Sequence, residues 1–119
     1  MCSILDVVCV NVEITTKRYG EENSWSYGSC VNNEAYESDQ RYTEQCCQEK
    51  GDYNVVCKDS YGDGWHGGYI EIADVRYCDD FSDGFEEVHE ISMKGEECHL
   101  SFYFILFRAL ICMYMYHLL

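Results

Sequence analysis

The sequence predicts an all-β protein: a small antiparallel β-sandwich of about seven short strands, stapled by disulfides and followed by an apolar C-terminal tail. Three observations carry this. Apolar and polar residues alternate in short runs, and turn residues interrupt the runs roughly every 8–12 positions. No segment of the domain competes with a helical period. Nine of the 119 residues are cysteine, a density at which a short chain is usually a disulfide scaffold.

The elements follow in order. Val7 to Thr16 places Val8, Val10, Val12 and Ile14 on one face and Cys9, Asn11, Glu13 and Thr15 on the other, a half-buried strand. Tyr19 to Asn23 is a turn, Ser24 to Tyr27 a second strand, and residues 31–40 a polar loop without period. Arg41 to Cys47 is extended again. Lys50-Gly51-Asp52 turns into a strand over Tyr53 to Lys58, with Tyr53, Val55 and Cys57 on one side. Tyr69 to Ile72 and Val75 to Cys78 pair as a hairpin over Ala73-Asp74, and Phe85 to Ile91 is the last strand. The chain has no proline, so glycine, asparagine, aspartate and serine must build every turn.

Residues 6–92 form the predicted module and 93–119 an apolar run of different character. That run is long enough for a membrane anchor, with Arg108 near its middle. Its odd composition, the stray Cys98 and Cys112 and the lack of basic flanks favour non-native sequence appended by a faulty gene model. A membrane partner is expected only if the run is a genuine anchor. Met1 to Val12 lacks a basic start and a small-residue cleavage site, so export is expected through a leader encoded upstream.

The net charge of −14 excludes a nucleic-acid partner, because no basic stripe offsets the repulsion of a phosphate backbone. Six cysteines lie in the module: Cys9, Cys30, Cys46, Cys47, Cys57 and Cys78. An even set in a small chain points to three bridges and an oxidising compartment. Cys46 and Cys47, adjacent on a strand, face opposite sides and take different partners; the pairing is otherwise open. The competing use of cysteine is structural zinc. No C-x-x-C occurs and the four histidines are scattered, so such a site is not expected.

Chemistry concentrates between Cys57 and Ile72. Asp59, Asp63 and Gly64 fit part of the helix-flanked calcium loop, but Tyr61 and Ile70 stand where two ligands belong, so that motif is absent. A sandwich loop can still hold calcium with carboxylates and carbonyls, and Asp79, Asp80 and Asp83 lie just beyond the next hairpin. The candidate calcium set is therefore Asp59, Asp63, Asp79, Asp80 and Asp83. The plainer alternative is that Asp59 and Asp63 cap their own turns. Tyr61, Trp65, His66 and Tyr69 are the candidate ligand-binding residues, a stacking platform for a sugar or peptide. Trp65 alternatively plugs the end of the sandwich. No serine or cysteine nucleophile is spaced to use His66 or His89, so no catalytic residue is expected.

The segment Asp59-Ser60-Tyr61-Gly62-Asp63-Gly64-Trp65-His66-Gly67-Gly68 resembles the D-S-Y/F-G-D-G-W-N/H-G motif of secreted cysteine-rich β domains of marine invertebrates, algae and some bacteria. Cys46-Cys47 and Tyr77 to Phe81 are similar to that group as well. The likeness spans Val8 to Ile91 and implies an extracellular module with a binding or structural role. The functional expectation is a non-enzymatic binding module, calcium-assisted through residues 59–68, whose partner is an extracellular protein or glycan. The alternatives are a membrane-anchored surface module and a small secreted hydrolase or toxin-like effector.

Overall fold

The computed structural model describes residues 7–93. The apolar tail beyond Met93, with Cys98 and Cys112 and the anchor reading, lies outside the described residues. Among those residues no helix is long and apolar enough to cross a membrane. The strands are β1 (Val7–Thr15), β2 (Asn23–Tyr27), β3 (Cys30–Val31), β4 (Arg41–Glu49), β5 (Gly51–Asp59), β6 (Tyr69–Ile72), β7 (Val75–Tyr77) and β8 (Glu86–Met93). They form two four-stranded antiparallel sheets, ordered β4-β1-β6-β7 and β3-β2-β5-β8.

The seven runs read from the sequence are all strands, and β3 is an addition. Two residues are too short to show a period. Pairing with Ser26 and Tyr27, rather than propensity, defines this strand. The period of two in β1 turns Val12 and Ile14 inward, where they meet Ile70 and Ile72 of β6 in the same layer. Trp25, Tyr27, Val55, Cys57 and Ile91 supply the opposing layer. Each such side chain contributes about 1.5–3 kcal/mol on burial. The β6–β7 hairpin turns on Ala73 and Asp74, both with positive φ (51° and 64°), the conformation a two-residue hairpin loop demands.

The cysteines divide two tasks. Cys9–Cys47 ties β1 to β4 on the outer face of one sheet, at register partners. Cys30–Cys46 crosses from one sheet to the other, and Cys57–Cys78 ties β5 to the residue that follows β7 of the opposite sheet. Cys46 and Cys47 therefore take different partners, as opposite-facing neighbours must.

The polar loop at 31–40 contributes more than its composition indicates. Tyr36 is buried, stacks on Tyr42 at 4.3 Å and accepts a 2.8 Å hydrogen bond from the Trp25 indole. Burial pushes its phenol pKa far above the ordinary 10.0. Thr16, fully buried, donates to the Glu37 carbonyl and accepts from the Gln40 amide, which fixes the loop against β1.

Candidate functional site

The glycine loop is built around one carboxylate. Asp59, the last residue of β5, is 2 % exposed. Its Oδ2 accepts from the backbone N–H groups of Gly62 (2.8 Å), Asp63 (2.6 Å) and Gly64 (2.9 Å). Burial raises the Asp59 pKa, but the Asp63, Gly62 and Gly64 hydrogen bonds outweigh it and hold the pKa below the ordinary 3.8. So tight a wrap requires positive φ at Gly62 (95°) and Gly64 (80°). A Cβ at Gly64 would also collide with the Phe81 carbonyl oxygen.

The loop is stitched to its neighbour at 79–85. Trp65 N–H donates to the Phe81 carbonyl (2.8 Å), Gly84 N–H to Gly62 (3.0 Å) and Asp59 N–H to Phe85 (2.8 Å). The two acidic loops thus share one end of the sandwich. Their carboxylates do not all converge, however. Asp79, Asp80 and Asp83 are exposed, and among the described residues they join no grouping of ligand atoms.

The acid that does join comes from elsewhere. In the β2–β5 ladder Asn23 stands opposite Asp59, so the 3-10 turn Gly20–Glu22 meets the start of the loop. Ser60 N–H donates to the Glu22 carbonyl (3.1 Å). Ligand atoms of Glu22, Asp63 and His66 all lie within 4.8 Å of one another, and His66 Nε2 is 3.3 Å from Asp63 Oδ2. Burial raises the Glu22 pKa, and the nearby Asp59 and Asp63 carboxylates raise it further. Glu22 Oε2, Asp59 Oδ1, Asp63 Oδ1 and His66 Nε2 are all shielded from solvent and lack a hydrogen-bond partner. A small chain rarely leaves so many polar atoms unsatisfied in one place.

A cleft of about 350 Å3 opens onto this cluster, lined by Tyr19, Glu22, Tyr61 and Asp63. Tyr61 is 73 % exposed and Tyr19 48 %. The Tyr19 ring tilts over His66 with centroids 5.2 Å apart. Both residues have positive φ (56° and 55°), a conformation that side chains with a Cβ seldom take and that gathers at functional sites. A larger hollow of about 490 Å3 runs along Asp52, Tyr53, Asn54, Glu90, Ile91 and Ser92. It holds no grouping of ligand atoms.

The aromatic platform expected over residues 61–69 is corrected at Trp65. That side chain is fully buried, packs near Phe81 and donates its indole N–H to the Lys58 carbonyl (2.8 Å). It plugs the end of the sandwich and cannot stack on a ligand. Tyr69 opens β6 with the Arg76 guanidinium 3.7 Å over its ring. Tyr61 remains at the cleft with Tyr19 and Glu22, and His66 stands beside it against Asp63 and the Tyr19 ring. A second grouping, Cys78, Glu87 and His89, cannot hold an ion through sulfur, because Cys78 is bridged to Cys57. No family model, curated protein or solved structure matches the chain.

Proposed function

We propose that the protein is a non-enzymatic extracellular binding module that engages its partner at the loop end of the sandwich, with a bound cation assisting. One observation carries the reading: the exposed Tyr61 and Tyr19 border a cleft whose floor is acidic and unsatisfied. The ion neutralises the floor and offers open coordination positions. Carboxylates or hydroxyls of a partner fill those positions while the tyrosines cover its apolar surface. The partner class is an extracellular protein or glycan. Three bridges in so small a domain support an oxidising, extracellular setting, and the resemblance of residues 59–68 to secreted modules points the same way.

Panels of immobilised glycans and matrix proteins, probed with the native chain, test this. Binding should be lost in Tyr61→Ala and in chelator, and kept in Val88→Ser on the outer face of the second sheet. A partner that binds Tyr61→Ala as tightly as the native chain places the interaction elsewhere and refutes the reading.

A further inference from the structure

We infer that the ion held in this cleft is a divalent metal of the imidazole-binding class, zinc above all, with Glu22, Asp63 and His66 as its protein ligands and Asp59 as the supporting carboxylate. The inference rests on the cation-assisted reading above and names its ion, a softer metal than the calcium expected from the sequence.

The donor set decides the class. Calcium takes six to eight oxygens and magnesium a near-octahedral shell rich in water; neither seeks a histidine nitrogen. Zinc accepts imidazole and carboxylate together, and where the protein supplies only three ligands a partner group or water completes its tetrahedral shell. Glu22, Asp63 and His66 supply that number and that mixture. A tetrahedral zinc site with bonds of about 2.0–2.1 Å has edges of about 3.3–3.4 Å. His66 Nε2 and Asp63 Oδ2 stand 3.3 Å apart, one such edge already in place. Asp59 cannot serve a calcium shell fully, since its Oδ2 is committed to three backbone amides.

The buried polar groups give independent support. Asp59 is nearly inaccessible, yet its Oδ1 has no donor, and its charge bears on Glu22. Directly across the ladder, Asn23 is 4 % exposed and neither its Oδ1 nor its Nδ2 has a partner. In the cluster itself the unsatisfied atoms of Glu22, Asp59 and Asp63 are all acceptors, and His66 Nε2 is one in the tautomer that protonates Nδ1. The Glu22, Asp59 and Asp63 carboxylates crowd like charges at one place, and a cation on the three ligands relieves that repulsion. The expected arrangement is a metal on the three ligands, with the Asp59 carboxylate behind them steadying charge and geometry.

Calorimetric titration of the chelator-treated, disulfide-bonded full chain tests the inference, with zinc chloride and calcium chloride as separate probes. One zinc should bind per chain, at least about ten-fold tighter than calcium. His66→Asn, chosen because asparagine tolerates positive φ, and Glu22→Gln should each weaken zinc by about a hundred-fold or more, exceeding the usual cost of a supporting-residue change. Near-ultraviolet circular dichroism in chelator should match the native chain for at least one variant. Should both variants misfold, cobalt(II) added to the native chain still reports. A tetrahedral visible spectrum with a histidine ligand supports the site, and an octahedral one overturns it. Calcium binding tighter than zinc and indifferent to His66→Asn overturns the zinc assignment while leaving the cation-assisted reading standing. Zinc affinity unchanged in both folded variants overturns the ligand set. No binding of either ion overturns both readings.

Discussion

Removal of the Asp59 carboxylate should dismantle the loop end of the sandwich. Its Oδ2 receives three backbone N–H groups at 2.6–2.9 Å, and a hydrogen bond to a charged group contributes about 1.5–3 kcal/mol. The three are not additive, and Asp59→Ala also relieves repulsion with Glu22 and deletes the orphaned Oδ1. The net loss is expected to be about 3–5 kcal/mol, which in a domain of this size lowers Tm by about 15–30 °C. Asp59→Asn keeps a neutral acceptor with bonds about half as strong, so it should fall near the midpoint. The assay is differential scanning calorimetry at pH 7 in chelator, with intact bridges verified by mass. The loss is also tied to pH. Because the folded pKa lies below the ordinary 3.8, the Asp59 contribution is present above that value and disappears as pH falls through the folded pKa. Asp59→Ala should therefore converge on the native chain in acid. An alanine variant within about 1 kcal/mol of the native chain at pH 7 would refute the reasoning, since buried carboxylates with three donors are not so dispensable.

Three further outcomes are expected. Gly64→Ala should cost about 3 kcal/mol or more, because a side chain there meets both positive φ and the Phe81 carbonyl. Gly67→Ala, with φ 90° but open surroundings, should cost only about 1–2 kcal/mol; urea titration separates the two. Glu22 has a raised folded pKa, so its stabilising contribution is complete below the ordinary 4.5 and is lost as pH rises through the folded value. In chelator, Glu22→Gln should therefore melt above the native chain at pH 7 and with it below about pH 4.5; equal melting at both values contradicts the crowding of carboxylates. Replacing Cys30 and Cys46 together by alanine opens a bridge with a sequence separation of 16 and should cost about 3 kcal/mol, read as a fall in urea midpoint.

The strands were legible because each faces a core on one side only, and the period of two records that directly in Val8 to Ile14 and Tyr53 to Cys57. Strand order was not. β1 pairs with β4 and β6, and β2 with β5, so the ladders join residues distant in sequence. Local pattern carries no record of which distant strand will be the neighbour. Glu22 escaped for that reason. Its place beside Asp63 follows from the Asn23–Asp59 register, and pairing the Trp25 strand with Val55 to Lys58 would have revealed it. Tyr36 escaped because a single buried aromatic in a polar loop has no period to betray it. The ambiguity between an ion ligand and a turn cap at Asp59 has a physical source as well. One oxygen caps the turn and the other stands free, and composition cannot divide the two.

The direct test is crystallographic. Crystals of the disulfide-bonded chain grown with zinc, measured on both sides of the zinc absorption edge, should show one anomalous peak bonded at about 2.0–2.2 Å to Glu22, Asp63 and the His66 imidazole, with the Asp59 carboxylate behind them. Loss of that peak below the edge identifies the element. Density at the cleft that lacks a zinc edge, or a zinc peak away from these residues, would contradict the assignment.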